Sequence, residues 1–164
     1  MIRAAAAAIV VLLTAAPAFA EDRPEPRDVA VIVQCLKQAD AKGGDEKRCL
    51  GLVSGPCLEN EKNTVPDMVR CHDREYLAWH NILGRTVQRL HNDMNDEQRV
   101  KLKAMQDAWT LSLKRTCRFY EDYGQGSVAG VSEAECAADE TGRRVLFLLF
   151  FTQDARFLYG SDGK

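Results

Sequence analysis

The sequence predicts an all-α protein: an antiparallel helical bundle of three long helices plus an N-terminal helical extension, stapled by disulfides. Three observations carry this. Apolar residues recur at three- and four-residue spacing over long stretches, helix-capping sequences precede those stretches, and six cysteines stand in a chain that opens like an export signal.

Residues 1–20 contain one cation, Arg3, an unbroken apolar run from Ala4 to Leu13, and Ala18-Phe19-Ala20 ahead of Glu21-Asp22. A charged start, an apolar run too short to span a bilayer and a small-x-small cleavage site make this a signal peptide, excluded from the fold. No cysteine follows the expected cleavage point, so no lipid anchor is expected. No other run reaches the roughly 18 apolar residues of a membrane helix. The mature product is expected to be periplasmic or secreted, without membrane insertion.

About 144 residues then remain, enough for one domain that buries roughly 68–70% of its unfolded surface. Loss of Arg3 leaves 21 basic side chains against 24 acidic ones, a net charge of about −3. That disfavours nucleic acid as a partner and slightly favours a cationic one. The charge and motifs leave the oligomeric state open.

Residues 21–27 carry two prolines and five charges and read as a flexible tail, with a single helical domain over 28–164. Asp28 is placed to cap a first helix to about Asp40, with Val31, Ile32, Cys35, Leu36 and Ala39 along one face. Gly43-Gly44 stops it. A short helix is expected from Glu46 to Val53, ending at Ser54-Gly55-Pro56, with polar irregular chain over 57–63.

Thr64-Val65-Pro66-Asp67 combines a capping hydroxyl, a first-turn proline and an acid three residues on. The helix it opens should reach Leu90 or His91, with Val69, Tyr76, Leu83, Val87 and Leu90 as its apolar stripe and Trp79 and Ile82 flanking. Asn95 to Gln98 repeats the cap and opens a helix to about Tyr120, with a stripe of Leu102, Met105, Trp109, Leu113 and Thr116. These two helices form a hairpin closed by a tight turn at residues 91–95. Residues 122–131, with three glycines, read as the one long flexible connection. Ser132 to Glu135 is a further capping box, starting a helix to about Tyr159. Its run Val145–Phe151 is apolar on every side and is expected to be the most buried stretch of the bundle rather than an exposed patch.

Cys35, Cys49, Cys57, Cys71, Cys117 and Cys136 form an even set, read as three disulfides in an oxidising compartment. A Cys35–Cys49 bridge would close a local loop. The up-down-up order brings the other four to one pole, where Cys57–Cys71 and Cys117–Cys136 are favoured over two alternative pairings.

Catalytic and metal motifs are lacking. There is no Gly-x-Ser-x-Gly, no His-Glu-x-x-His, no Cys-x-x-Cys and no phosphate loop, so no catalytic residue, metal ligand or cofactor is assigned. His72 and His80 are eight residues apart on one helix, about 12 Å, too far to share a metal. His72, His80 and His91 are read as solvated or hydrogen-bonded surface residues. Met68 and His72, four apart, could hold copper, but such a pair arises often by chance. The cysteine pole collects more acids than bases. There the glycine-rich segment with its flanks, Glu121, Asp122, Tyr123, Gly124, Gln125, Gly126 and Ser127, is the candidate partner-binding element. Two bland readings compete with a protein-binding site: a plain connector, and an envelope structural or adaptor module with no catalytic role.

One set of spacings carries a resemblance. Cys57, then Thr64 before Cys71; Glu75 and Trp79 followed by Leu83; Leu102, Gln106 and Trp109 with Cys117 eight residues on; the glycine-rich loop; and Cys136 followed by Thr141 and Arg144 resemble the N-terminal domain of the LprI-type lysozyme inhibitors, over about residues 57–150. Cys49-Leu50-Gly51 upstream is similar to a family variant with a cysteine-bearing extension. The chain departs from the family pattern at Leu83-Gly84-Arg85-Thr86-Val87 and at Ser112-Leu113-Lys114. The resemblance implies a helical, exported, non-enzymatic protein with lysozyme as its protein partner.

Overall fold

A computed structural model describes residues 23–152, apart from residue 125, together with Leu158. The expected signal peptide over 1–20 lies outside the described residues. Among these residues the chain is helical with no strand. The order is α1 (Pro26–Lys42), a 3₁₀ turn (Glu46–Cys49), α2 (Ser54–Leu58), α3 (Val65–Asp93), α4 (Asp96–Tyr123) and α5 (Ala129–Leu149).

The long helices begin where their caps dictate. Asp67 accepts the Thr64 backbone N–H at 2.8 Å, and Asn95 and Gln98 exchange bonds of 2.9 and 3.0 Å. All three disulfides have the favoured pairing: Cys35–Cys49, Cys57–Cys71 and Cys117–Cys136, with Cα separations of 5.8, 5.7 and 5.4 Å.

The packing differs from a simple hairpin. α5 lies against both α3 and α4, whereas α3 and α4 diverge from their shared turn and scarcely touch. α1 and α2 cover a further side of α3. The core stripe of α3 is therefore Cys71, Glu75, Trp79, Ile82, Thr86 and Leu90, all buried. Two of these are polar, so an apolar pattern placed the stripe one step round the helix, on Val69, Tyr76 and Val87, which are half-buried. His72 is buried at 6% exposure, not solvated, because α3 is covered from several sides; His80 and His91 are exposed. α4, packed on α5 alone, buries only Leu102 and Cys117 fully.

Several boundaries shift. α1 starts at Pro26, before Asp28, and Glu25 rather than Asp28 is its cap. Asp28 instead sits buried in the first turn and accepts two bonds from Arg74, at 2.7 and 3.0 Å, tying α1 to α3. This contact raises the Arg74 guanidinium above its ordinary value. The expected helix over 46–53 is only one 3₁₀ turn, because Gly51 takes a left-handed φ of 79° and redirects the chain. Ser54-Gly55-Pro56 then opens α2 instead of ending a helix, with Pro56 in a first turn where no donor is needed.

α5 starts at Ala129, one turn before Ser132, and its regular part ends at Leu149. Of the expected continuation to Tyr159, only Leu158 is described; it is buried, and its carbonyl accepts from Arg85 at 2.8 Å. The run Val145–Phe151 is not buried all round. Val145, Leu148 and Leu149 face the core, whereas Phe147, Phe150 and Phe151 are exposed by 48, 83 and 47%. α5 packs on α3, α4 and, near Gly142, the segment of the 3₁₀ turn, and the side that carries these three rings meets solvent.

Candidate functional site

The cysteine pole is built from the start of α3, the end of α4 and the start of α5. Buried Cys117 joins half-buried Cys136 and fixes the α4–α5 crossing there. The connection between these helices is shorter than the sequence suggested, residues 124–128, because α4 runs on to Tyr123. A stacked Phe119–Tyr123 pair, 5.7 Å apart, supports that extra turn. Gly124 ends it where a Cβ would lie 2.5 Å from the Tyr120 carbonyl and 2.9 Å from the Ala129 side chain, so only glycine fits the crossing.

The structure thus puts Glu121, Asp122 and Tyr123 on the last turn of α4 and Gly124, Gly126 and Ser127 in the link, all exposed. Gln125 lies outside the described residues. Tyr123 stands 80% exposed, and Gly126 has a φ of 89°. Partial burial, and then the neighbouring Glu121 carboxyl to which it hydrogen-bonds, raise the Glu133 carboxyl above the ordinary range.

Beside the bridge lies a concave surface of about 340 Å³ lined by Tyr120, Ser132, Glu135, Asp139, Glu140 and Arg143. The three carboxylates are spaced along one face of α5 by helical periodicity. Arg143 lies 3.6 Å from Asp139 and 3.9 Å from Glu140, so it offsets part of their charge. The site is a concave anionic surface suited to a cationic side chain. Among the described residues no three His, Cys, Asp or Glu side chains converge as a metal centre requires.

Two constellations singled out in the sequence are structural. Glu75 is buried at 1% exposure and accepts the backbone N–H groups of Gly51 at 2.5 Å, Val53 at 3.1 Å and Ser54 at 2.8 Å. It also accepts the Ser54 hydroxyl at 2.8 Å and the Trp79 indole N–H at 3.2 Å. It fastens the cysteine-bearing extension onto α3. Gln106, Trp109 and Arg144 meet at the α4–α5 contact. Arg144 donates to the Gln106 side chain at 2.7 Å, and its guanidinium lies 5.4 Å from the Trp109 ring and 5.2 Å from the Phe147 ring. Thr141, one turn earlier, is buried and donates to the Ala137 carbonyl at 2.7 Å. Gln106 and Trp109 of Gln-x-x-Trp and the Arg144 of Thr-x-x-Arg thus form one packing contact between helices.

Sequence reasoning missed Gly142, and it placed Leu50 in the cysteine-bearing extension without a packing role. A Cβ at Gly142 would come within 2.4 Å of Leu50 and 3.0 Å of Trp79, so this glycine admits the indole. No periodicity marks such a position; its place between Thr141 and Arg144 was the one available signal.

Fold and site together define a disulfide-stapled, all-helical module with an anionic concave surface. The family of lysozyme inhibitor LprI matches residues 57–148, more than half of the chain. The chain belongs to that family, whose members are inhibitors rather than catalysts. Neither a curated protein nor a solved structure gives a significant match. Among the described residues no helix is long and apolar enough to cross a membrane.

Proposed function

We propose that this protein is an exported lysozyme inhibitor that binds a cationic lysozyme through the anionic surface beside the Cys117–Cys136 bridge. Membership of the family supports a protein-binding role, and the three-carboxylate concavity at Glu135, Asp139 and Glu140 is the observation that directs it to this pole. A lysine or arginine of the partner enters between the carboxylates, with Tyr120 offering a ring face to the cation. Glu121, Asp122, Tyr123, Gly124, Gly126 and Ser127, all exposed, would add to the contact, with Tyr123 the most exposed ring among them. Three disulfides fit a protein that works in an oxidising compartment, outside the cytoplasm.

The test is an inhibition assay with the disulfide-intact protein against several lysozymes of differing charge, at low salt. Inhibition at micromolar concentration, strongest for the most cationic enzyme, is expected. Absence of inhibition for every lysozyme at that concentration contradicts the reading.

A further inference from the structure

Arg144 carries a charge that no carboxylate among the described residues neutralises. Its Nε donates to the Gln106 side chain at 2.7 Å and its Nη2 to the Met105 carbonyl at 3.4 Å, both uncharged acceptors, and among the described residues its Nη1 makes no hydrogen bond. The acids of the neighbouring turns are engaged elsewhere. Glu97 pairs with Lys101 and Asp107 with Lys103, each at 2.6 Å, and Glu140 lies 3.9 Å from Arg143.

This cation stands at one end of an apolar seam. Arg144 and Leu148 are one turn apart on α5, with Phe151 in the turn that follows, and Leu102, Met105 and Trp109 share one face of α4. The two faces meet antiparallel. Trp109 lies against Arg144, and further along Leu102, Met105, Leu148 and Phe151 join Leu90 and Met94 around a groove of about 210 Å³.

We propose that this seam binds a free single-chain carboxylic acid, with the carboxylate on Arg144 and the alkyl chain in the groove. Charge complementarity assigns the head group. One uncompensated guanidinium, ordered by Gln106 and by the Trp109 and Phe147 rings, offers a preformed fork that matches one carboxylate. Partial burial already strips water from that charge, so less hydration is lost when an anion pairs with it. The groove assigns the rest. Its volume of about 210 Å³ falls below the roughly 300–1,000 Å³ of drug-sized pockets, which suits one flexible chain rather than a ring system or a folded segment. A bilayer surface fits less well, because it draws on several free cations beside an apolar face. Here Lys101, at the groove's edge, and Arg89 are paired with Glu97 at 2.6 Å and Asp93 at 2.9 Å.

Isothermal titration calorimetry of the disulfide-intact protein tests this, with octanoate, decanoate and dodecanoate below their micelle concentrations and with 1-octanol, which has the chain without the charge. One-to-one binding is expected, tightening roughly fourfold for each methylene that enters the groove and levelling off once the groove is full. Arg144→Gln should weaken the acids tenfold or more and leave 1-octanol unchanged. Met105→Trp, which narrows the groove from a position 36% exposed, should weaken acid and alcohol together. Helical circular dichroism establishes that both variants fold. Wild type that binds none of the acids up to millimolar concentration overturns the proposal, as does binding that is indifferent to chain length, to Arg144→Gln or to Met105→Trp. Protein that binds vesicles of phosphatidylcholine and phosphatidylglycerol but none of the free acids overturns it too and assigns the seam to a bilayer.

Discussion

Glu75 and Ser54 meet twice at one carboxylate oxygen: the Ser54 backbone N–H and its hydroxyl both lie 2.8 Å from Glu75 Oε2. The contact sits at the junction of the disulfide-bearing extension with α3, out of solvent. Replacing Glu75 with Ala leaves buried donors of Gly51, Val53, Ser54 and Trp79 without an acceptor. A cost of at least about 3 kcal/mol is expected. Urea denaturation should show it as a lower midpoint. Glu75→Gln should recover little, because its amide nitrogen presents a further donor to a cluster that is already all donors.

A Cβ at Gly142 would lie 2.4 Å from the Leu50 side chain, closer than any real contact, and 3.0 Å from Trp79, tighter than most. Gly142→Ala should destabilise by about 1–3 kcal/mol through overpacking. Leu50 is the more movable neighbour, so adding Leu50→Ala should return part of the loss in a double-mutant cycle. Equal stability of the single variant and wild type in thermal melts would refute this close packing.

Arg144 bridges α4 and α5 through a planar group that bonds Gln106 and lies near two rings at once. Partial burial lowers its guanidinium below the ordinary value. An ammonium cannot reproduce the fork, so Arg144→Lys should cost on the order of 1 kcal/mol, close to the cost of Arg144→Ala. Chemical denaturation of both variants checks it; full retention by the lysine variant would show that charge alone matters.

Glu133 gives the cysteine pole a pH dependence of known sign. Its folded-state value is raised, by burial and then by Glu121. Below the unfolded carboxylate range, about pH 4.3, both states hold the proton and nothing is lost. As pH rises through that range the folded state releases its proton less readily, and a destabilisation develops that is complete above the raised value. Glu133→Gln should therefore melt higher than wild type at pH 7 and alike at pH 3. The opposite order at pH 7 would show that the Glu133 charge is welcomed rather than resisted.

Much of this architecture was legible in the sequence. The caps at Thr64 and Asn95 located α3 and α4, and the chain order of the cysteines favoured the pairing that occurs. What escaped had a physical reason. Glu75 and Thr86 are polar members of the α3 core stripe, and apolar periodicity cannot see them. Ser132 offered a capping box, yet α5 began a turn earlier, because the preceding residues continue the helix without a side-chain cap. Phe147, Phe150 and Phe151 read as core because hydrophobicity cannot tell a third neighbour from none. The acids of the cysteine pole were visible, but the concavity they line depends on the α4–α5 crossing, which no local pattern encodes.

The central claim is charge-directed binding of lysozyme at the concavity beside Cys136. It is tested most directly by the inhibition constant of Glu135→Lys/Asp139→Lys against wild type, measured on a cationic lysozyme at low and high salt. Both positions are accessible, and retained circular dichroism and a free-thiol count of zero confirm an intact fold. Wild type should inhibit at micromolar concentration and weaken as salt rises, and the double variant should lose at least tenfold. Equal inhibition by the two proteins, or by wild type at all salt concentrations, would contradict the claim.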